Sequence, residues 1–131
     1  MKIIKPEKWP RPSGYANGIA ATGQAIFISG QIGWDPMTRQ FASSDLVGQV
    51  AQALRNVVAV AAAAGARTEH IVRMTWFITD KQAYQKSKKE IGHAYREVMG
   101  SHYPAMSVVC VAGLVEDQAK VEIEATAVIP Q

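Results

Sequence analysis

From Tyr103 to Ile129 the chain is an apolar ribbon interrupted once, by Glu116-Asp117-Gln118. Its second half alternates with a period of two: Val121, Ile123, Ala125 and Ala127 fall on one side, Glu122, Glu124 and Thr126 on the other. A β-strand puts alternate residues on opposite faces. The ribbon therefore commits the chain to a sheet, with strands expected over 106–114 and 119–129. Residues 24–32, QAIFISGQI, are rich in β-branched and aromatic side chains and predict another strand, with the turn signal Asp35-Pro36 just beyond it. Residues 70–79, HIVRMTWFIT, are apolar on both faces, which suits a central strand.

Two helices are expected between these strands. Ser43-Ser44-Asp45 offers short polar side chains to the free amides of a first turn. Leu46, Val50, Ala53, Leu54, Val57, Val58 and Ala61 then recur at helical spacing up to Gly65, a suitable C′ residue. Over 81–99, Tyr84, Ser87, Ile91, Ala94 or Tyr95, and Val98 form a second stripe. The order predicts an α+β fold, a mixed sheet with two helices on one face. Two helices cover only one face, so the other, also apolar, should meet copies of the same chain. No repeat, linker or low-complexity stretch divides residues 1–131, which read as a single domain.

A content of 48% hydrophobic and 19% charged residues is that of a globular chain. No apolar run approaches the ~20 residues of a membrane helix, and no membrane partner is expected. The N-terminal residues lack a signal-peptide apolar core. Cys110 is the single cysteine, so no intrachain disulfide is possible, and a reducing cytoplasmic location is expected. The formal charge is +3 and scattered; only Lys86, Lys88 and Lys89 cluster, on a helix face that reads as solvated, so nucleic acid is not an expected partner.

Phosphate-binding glycine loops are missing. His70, His93 and His102 share no metal-ligand spacing with one another or with Cys110, so no metal is expected. Cys110 among Val108, Val109 and Val111 reads as an inert core thiol. Ser29 and Ser107 lack a nucleophile-elbow context. Trp9, Trp34 and Trp76 read as core or interface aromatics, although Trp34, in a turn, could line a pocket. Periodicity leaves two readings of the glutamates open. Both could meet water, or their face could become a subunit boundary where a partly desolvated carboxylate holds a water or exchanges a proton.

The segments GYANGI, IFISGQIGWDP, QALRNVVAVAAAAGA, IVRMTWFITD and PAMSVVCVAGL followed by VEIEATAV, in this order from Gly14 to Val128, resemble the RidA/YjgF family. The resemblance implies a chorismate-mutase-like fold, a homotrimer with its sheets packed inward, and small-molecule clefts between subunits. It also implies cofactor-free hydrolysis of enamines and imines derived from amino acids, releasing ammonia and a keto acid. By position it places Tyr15 at the cleft, Ser29-Gly30 as strand backbone close to the ligand, and Glu122 as the residue that positions the attacking water. Glu124 is left structural or solvated. The chain departs from the family at Met106, where archetypal members carry an arginine that grips the substrate carboxylate. Methionine offers no charge and no donor. Losing such a contact costs a few kcal/mol, on the order of a hundredfold in affinity. The expectation is therefore a RidA-like deaminase with specificity shifted from 2-aminoacrylate. The alternatives are that Arg73, Arg39 or Arg11 substitutes, or that the trimer binds or regulates without turnover. An RNA-acting role finds no basic patch.

Overall fold

The computed structural model describes all 131 residues. The elements in chain order are β1 (Lys2–Ile4), β2 (Gly18–Ala20), β3 (Gln24–Ile32), α1 (Leu46–Ala63), a 3-10 turn (Thr68–His70), β4 (Ile71–Ile78), α2 (Lys81–Lys86), α3 (Lys88–Met99), β5 (Ala105–Cys110) and β6 (Val121–Ile129). β1 and β2 form a small antiparallel pair, a feature that three-residue strands are too short to signal by alternation. The main sheet has the order β3-β6-β4-β5. β6 runs antiparallel to both of its neighbours, and β5 runs parallel to β4, so the sheet is mixed as expected.

β5 and β6 follow one another in sequence but do not pair, because β6 crosses over to insert between β3 and β4. β5 is consequently an edge strand. It ends at Cys110, short of Leu114; one further amide, that of Val111, still bonds Ile78 O at 2.8 Å.

Asp45 caps α1, its carboxylate accepting from Gly48 N at 2.7 Å. Gly65, at a φ of 86°, lets the chain turn away after the last helical turn, as its position predicts. The expected second helix is two, α2 and α3, because the ladder tightens at Ser87. The Ser87 amide bonds Tyr84 O, three residues back, while Ser87 O accepts from Ile91 N.

α1 and α3 pack together over one sheet face. Val121, Ile123 and Ala127 are fully buried there and Ala125 nearly so, alongside Met74, Trp76 and Ile78 of β4. By length and composition α1 could cross a membrane, yet Val50, Ala53, Leu54 and Val57 are wholly enclosed by this core.

Two buried polar residues of α1 fix both flanks of the future site. Asn56 Nδ2 donates to Ile32 O at 3.0 Å and Trp34 O at 2.9 Å, holding the end of β3. The approach is so close that a Cβ at Gly33 would lie 2.6 Å from Gln49 Cα. Gln49 donates to Ser43 O at 3.2 Å and Gln118 O at 2.9 Å and accepts from Lys120 N at 2.8 Å, which sets the start of β6. Buried side-chain amides with every bond made are rigid anchors, since leaving one unmade inside the protein costs about 1–3 kcal/mol. The opposite face carries no helix. Phe27 is 81% exposed on it, and Thr75, Phe77 and Val109 of the other strands share the same face.

Candidate functional site

Glu122 sits near the start of β6, between Ile32 of β3 and Phe77 of β4, on the uncovered face. Opposite it β3 is irregular: Ile28 pairs with Ala125 and Gln31 with Ile123, so Ser29 and Gly30 together face Glu124. Such a bulge re-aims the backbone locally. Here it brings Gly30 against the Glu122 side chain. A Cβ on Gly30 would lie 2.6 Å from Glu122 Cδ and nearer still to Oε2. Glycine is thus what leaves room for the carboxylate. Glu122 is half-buried, belongs to no ion pair and uses none of the chain's side-chain hydrogen bonds. A carboxylate held in this way keeps its acceptor lone pairs free for water or ligand. Gln31 Nε2 donates to Ser29 O at 3.2 Å and Ser29 Oγ at 3.3 Å, orienting the exposed serine next to Gly30. Glu124 is exposed, in a shallow depression of about 180 Å³ shared with Phe27 and Arg73.

Tyr15 and Met106 meet elsewhere. The segment leading from the N-terminal region is tied to β5 by an Ala16–Ala105 bridge and by Ala16 N donating to Pro104 O at 3.0 Å. That tie sets Tyr15 at the mouth of a cavity of about 540 Å³ between the β5 edge and α3, with Met106 in its wall. Trp76, Tyr84, Tyr95 and Tyr103 complete an aromatic lining. Tyr103 and Tyr95 stack at 5.0 Å and 11°, and Tyr95 OH donates to His102 O at 2.6 Å. Burial, then the neighbouring Tyr103, pushes the Tyr95 phenol well above its ordinary value, and burial alone raises Tyr84. Both stay neutral phenols. The Trp76 indole N–H, though the ring is only 2% exposed, has no hydrogen-bond partner.

Within one chain the expected site residues therefore form two groups. Ser29, Gly30 and Glu122 stand together, and Tyr15 stands with Met106. Met106 is level with Met74 and Ala125 on the helix-covered face, whereas Glu122 is level with Phe77 and Val109 on the bare one. Three residues along the strand and two strand spacings across put the two positions roughly 14 Å apart in the plane of the sheet. No side-chain motion joins groups on opposite faces.

None of the three arginines considered as substitutes at position 106 lines the Met106 cavity. Arg73 lies on the bare face, Arg39 in the turn closed by Asp35 and Gln40 at a φ of 59°, and Arg11 in an adjacent cavity by the N-terminal strand. Arg96 does line it, with Lys88 and Lys89, and sequence reading missed it. A signal was there: Lys88, Gly92 and Arg96 are spaced by four and so share one helical row.

Two of the three histidines are occupied locally, and His93 is exposed on α3. His102 Nε2 bonds Ile71 O at 2.6 Å, and His70 Nδ1 accepts from Arg67 N at 2.9 Å. Cys110 corrects the expectation of a core thiol: it is exposed, because β5 is an edge strand. Trp34 packs on Phe41 at 5.9 Å and lines none of the larger cavities.

A four-stranded mixed sheet covered by helices on one face, with an unpartnered carboxylate on its bare face and an aromatic cavity on the other, defines the class of α+β protein to which the chain belongs. Comparison with known proteins gives the class its name. Residues 9–129 match the family described as Endoribonuclease L-PSP, and the chain belongs to that family, the one that includes the RidA/YjgF proteins. TdcF of Escherichia coli K12, provisionally named a reactive intermediate deaminase, is 37% identical over 131 residues, covering 97% of this chain and 96% of TdcF. A human 2-iminobutanoate/2-iminopropanoate deaminase is 29% identical over 127 residues, covering 97% of this chain and 89% of that protein. Among solved structures, the Rid-family protein YyfB from Yersinia pestis superposes with a TM-score of 0.85 at 26% identity, covering 98% of both chains. E. coli TdcF with bound serine does so at 0.71 and 35% identity, covering 98% of this chain and 99% of TdcF. The chorismate-mutase-like fold implied by the sequence is thus the fold of the chain.

Proposed function

We propose that this protein is a cofactor-independent hydrolase of small reactive imines or enamines, working in clefts between the subunits of a homotrimer. The observation that carries this reading is the Glu122 carboxylate, set over Gly30 with no protein partner. The names of two relatives, a reactive intermediate deaminase and an imine deaminase, support the reaction class, and the serine held by TdcF supports an amino-acid-sized ligand. The separation of Glu122 from Tyr15 and Met106 supports assembly: a neighbouring copy is the economical way to bring one group to the other. The bare sheet face supplies the surface. A cytoplasmic setting goes with substrates of this kind.

The chemistry follows from a free carboxylate. A water hydrogen-bonded to Glu122 adds to the imine carbon, forming the C–O bond. Its proton passes to the carboxylate, and the C=N pair moves onto nitrogen. Glu122 returns that proton to nitrogen, then takes the proton of the new hydroxyl and passes it to the same nitrogen; as the C=O forms, the C–N bond breaks and ammonia leaves behind a carbonyl product. The balance is imine plus water to ketone plus ammonia. An enamine first takes a proton on carbon to become the imine. Met106 turns specificity away from three-carbon anionic imines such as that from 2-aminoacrylate, because a thioether cannot hold a carboxylate.

The description of the family names an endoribonuclease, but the three cations gathered here surround a cavity of about 540 Å³, fit for a small molecule rather than a nucleic-acid backbone. Met106 favours one competing reading, a trimer that binds ligand without turnover. Glu122→Gln decides between them. It keeps size and hydrogen bonding and should abolish keto-acid release with oligomeric mass unchanged, while Glu124→Gln stays near wild type. Equal effects of the two substitutions would overturn the assignment of Glu122. Turnover of no imine by the wild type would favour the binding protein.

A further inference from the structure

The cavity beside Met106 has a charge pattern that its aromatic lining does not explain. Three of its lining residues are cations, Lys88, Lys89 and Arg96, and none is an aspartate or glutamate. The acids of the same helix are elsewhere: Glu90 and Glu97 line the flank of α3 that faces α1, with His93. The single ion pair of the chain is Arg67 with Glu69, so all three cations lack a carboxylate partner. The three cations are exposed along one wall of the cavity while Glu90 and Glu97 are not among its lining, so the wall offers uncompensated positive charge to an anion.

Arg96 is the best placed of the three. It stands one turn after Gly92, and a Cβ on Gly92 would lie 3.9 Å from Arg96 Nη1, so the guanidinium lies back along the bare row at position 92. A planar guanidinium can grip a carboxylate with two donors, where an ammonium offers a point charge. Met106, Tyr103 and Val108 give the wall facing it apolar and aromatic surface, and the volume exceeds what a three- or four-carbon acid fills.

We propose that this cavity takes a carboxylate carrying a bulky aromatic or apolar body, that Arg96 of α3 holds its anionic end, and that Met106 packs against its body. The substrate class becomes the imine of an aromatic or large apolar 2-oxo acid. The binding part depends only on the cavity; the substrate part rests on the deaminase reading above.

The test is calorimetric titration of the intact protein with phenylpyruvate. Two comparison ligands separate its features: pyruvate, which lacks the aromatic body, and phenylacetone, which has a methyl in place of the carboxylate. Wild type should bind phenylpyruvate at least about tenfold more tightly than either, since phenylacetone loses the charge-assisted contact and pyruvate loses the buried apolar body. Arg96→Gln should weaken phenylpyruvate by about tenfold and leave phenylacetone unchanged, with Arg96→Lys in between. Arg96 is exposed, so the variants should match wild type in thermal midpoint. Absence of phenylpyruvate binding, equal binding of pyruvate, or indifference to Arg96→Gln would each overturn the proposal. Turnover read in parallel keeps the two ideas apart. Arg96-dependent binding without hydrolysis of any imine would sink the deaminase and leave the site standing. Hydrolysis indifferent to Arg96 would do the reverse.

Discussion

Replacing Gly30 by alanine tests the reading of Glu122 more sharply than replacing the glutamate itself, since it leaves the carboxylate in place and only moves it. The added Cβ would lie 2.6 Å from Glu122 Cδ, against about 3.5–4.0 Å for an ordinary carbon contact. The carboxylate must therefore retreat by about 1 Å. It can do so, because the obstacle is the far end of a side chain rather than backbone. Gly30 is also absent from the glycines at positive φ, so alanine meets no conformational strain there. An off-rotamer glutamate costs about 0.5–1.5 kcal/mol. Glycine to alanine returns about 0.4–1 kcal/mol through the unfolded chain. The two nearly cancel, and the midpoint of thermal unfolding should stay within about 5 °C of wild type.

Turnover should behave differently. A displacement of about 1 Å at a reacting group can cost on the order of a hundredfold. The assay is keto-acid release from imines generated in place by an amino-acid oxidase, alongside a thermal melt. A hundredfold loss with an unchanged melt is the expected result. Full activity in Gly30→Ala would refute the role given to Glu122. A large fall in both activity and melting temperature would show that the backbone absorbs the clash and that Gly30 is structural.

Met106→Arg should raise turnover of small anionic imines such as that from 2-aminoacrylate, because it adds a guanidinium to a cavity wall already beside Tyr15. Strong wild-type activity on that substrate, measured in the same assay, would refute the altered specificity. Light scattering at micromolar concentration should give the mass of three 14.2 kDa chains. A monomer would remove the clefts on which the proposed reaction depends.

Much of the fold was legible where the constraint is local. Residues 24–32 form β3 to the residue, and the alternation from Val121 fixes which side of β6 is buried. Asp45 and Gly65 bound α1 because capping chemistry acts within one turn of the cap. What was not legible is nonlocal. Nothing in the sequence says that β6 inserts between β3 and β4, and the exposure of Cys110 follows from that strand order alone. The row of Lys88, Gly92 and Arg96 is readable as a helix face, but not as the wall of a cavity, because what it faces comes from β5 and from the segment around Tyr15. Glu122 was ambiguous for the same reason. Its face was clear from alternation, but the Gly30 contact arises from a bulge in a strand nearly a hundred residues earlier in sequence.

The two halves of the site make different demands on the fold. The Glu122 half needs exact backbone placement, and it is built from strand backbone held by Gln49 and Asn56, both buried with their amides bonded. The α3 half needs shape and charge, and it is built from side chains on a helix with a solvent-facing row, where cations can be exchanged without touching the core. A change at position 106 alters only the second half, since Met106 and Glu122 lie on opposite faces of the sheet and share no neighbour in their cross-strand rows. On the proposed reading, the same sheet can therefore keep Glu122 for handling water while the ligand it receives changes. Methionine rather than arginine at 106 means, on that reading, a different substrate rather than an absence of chemistry, provided another cation reaches the ligand. Arg96 is the cation that lines the same cavity as Met106 with two parallel donors to offer.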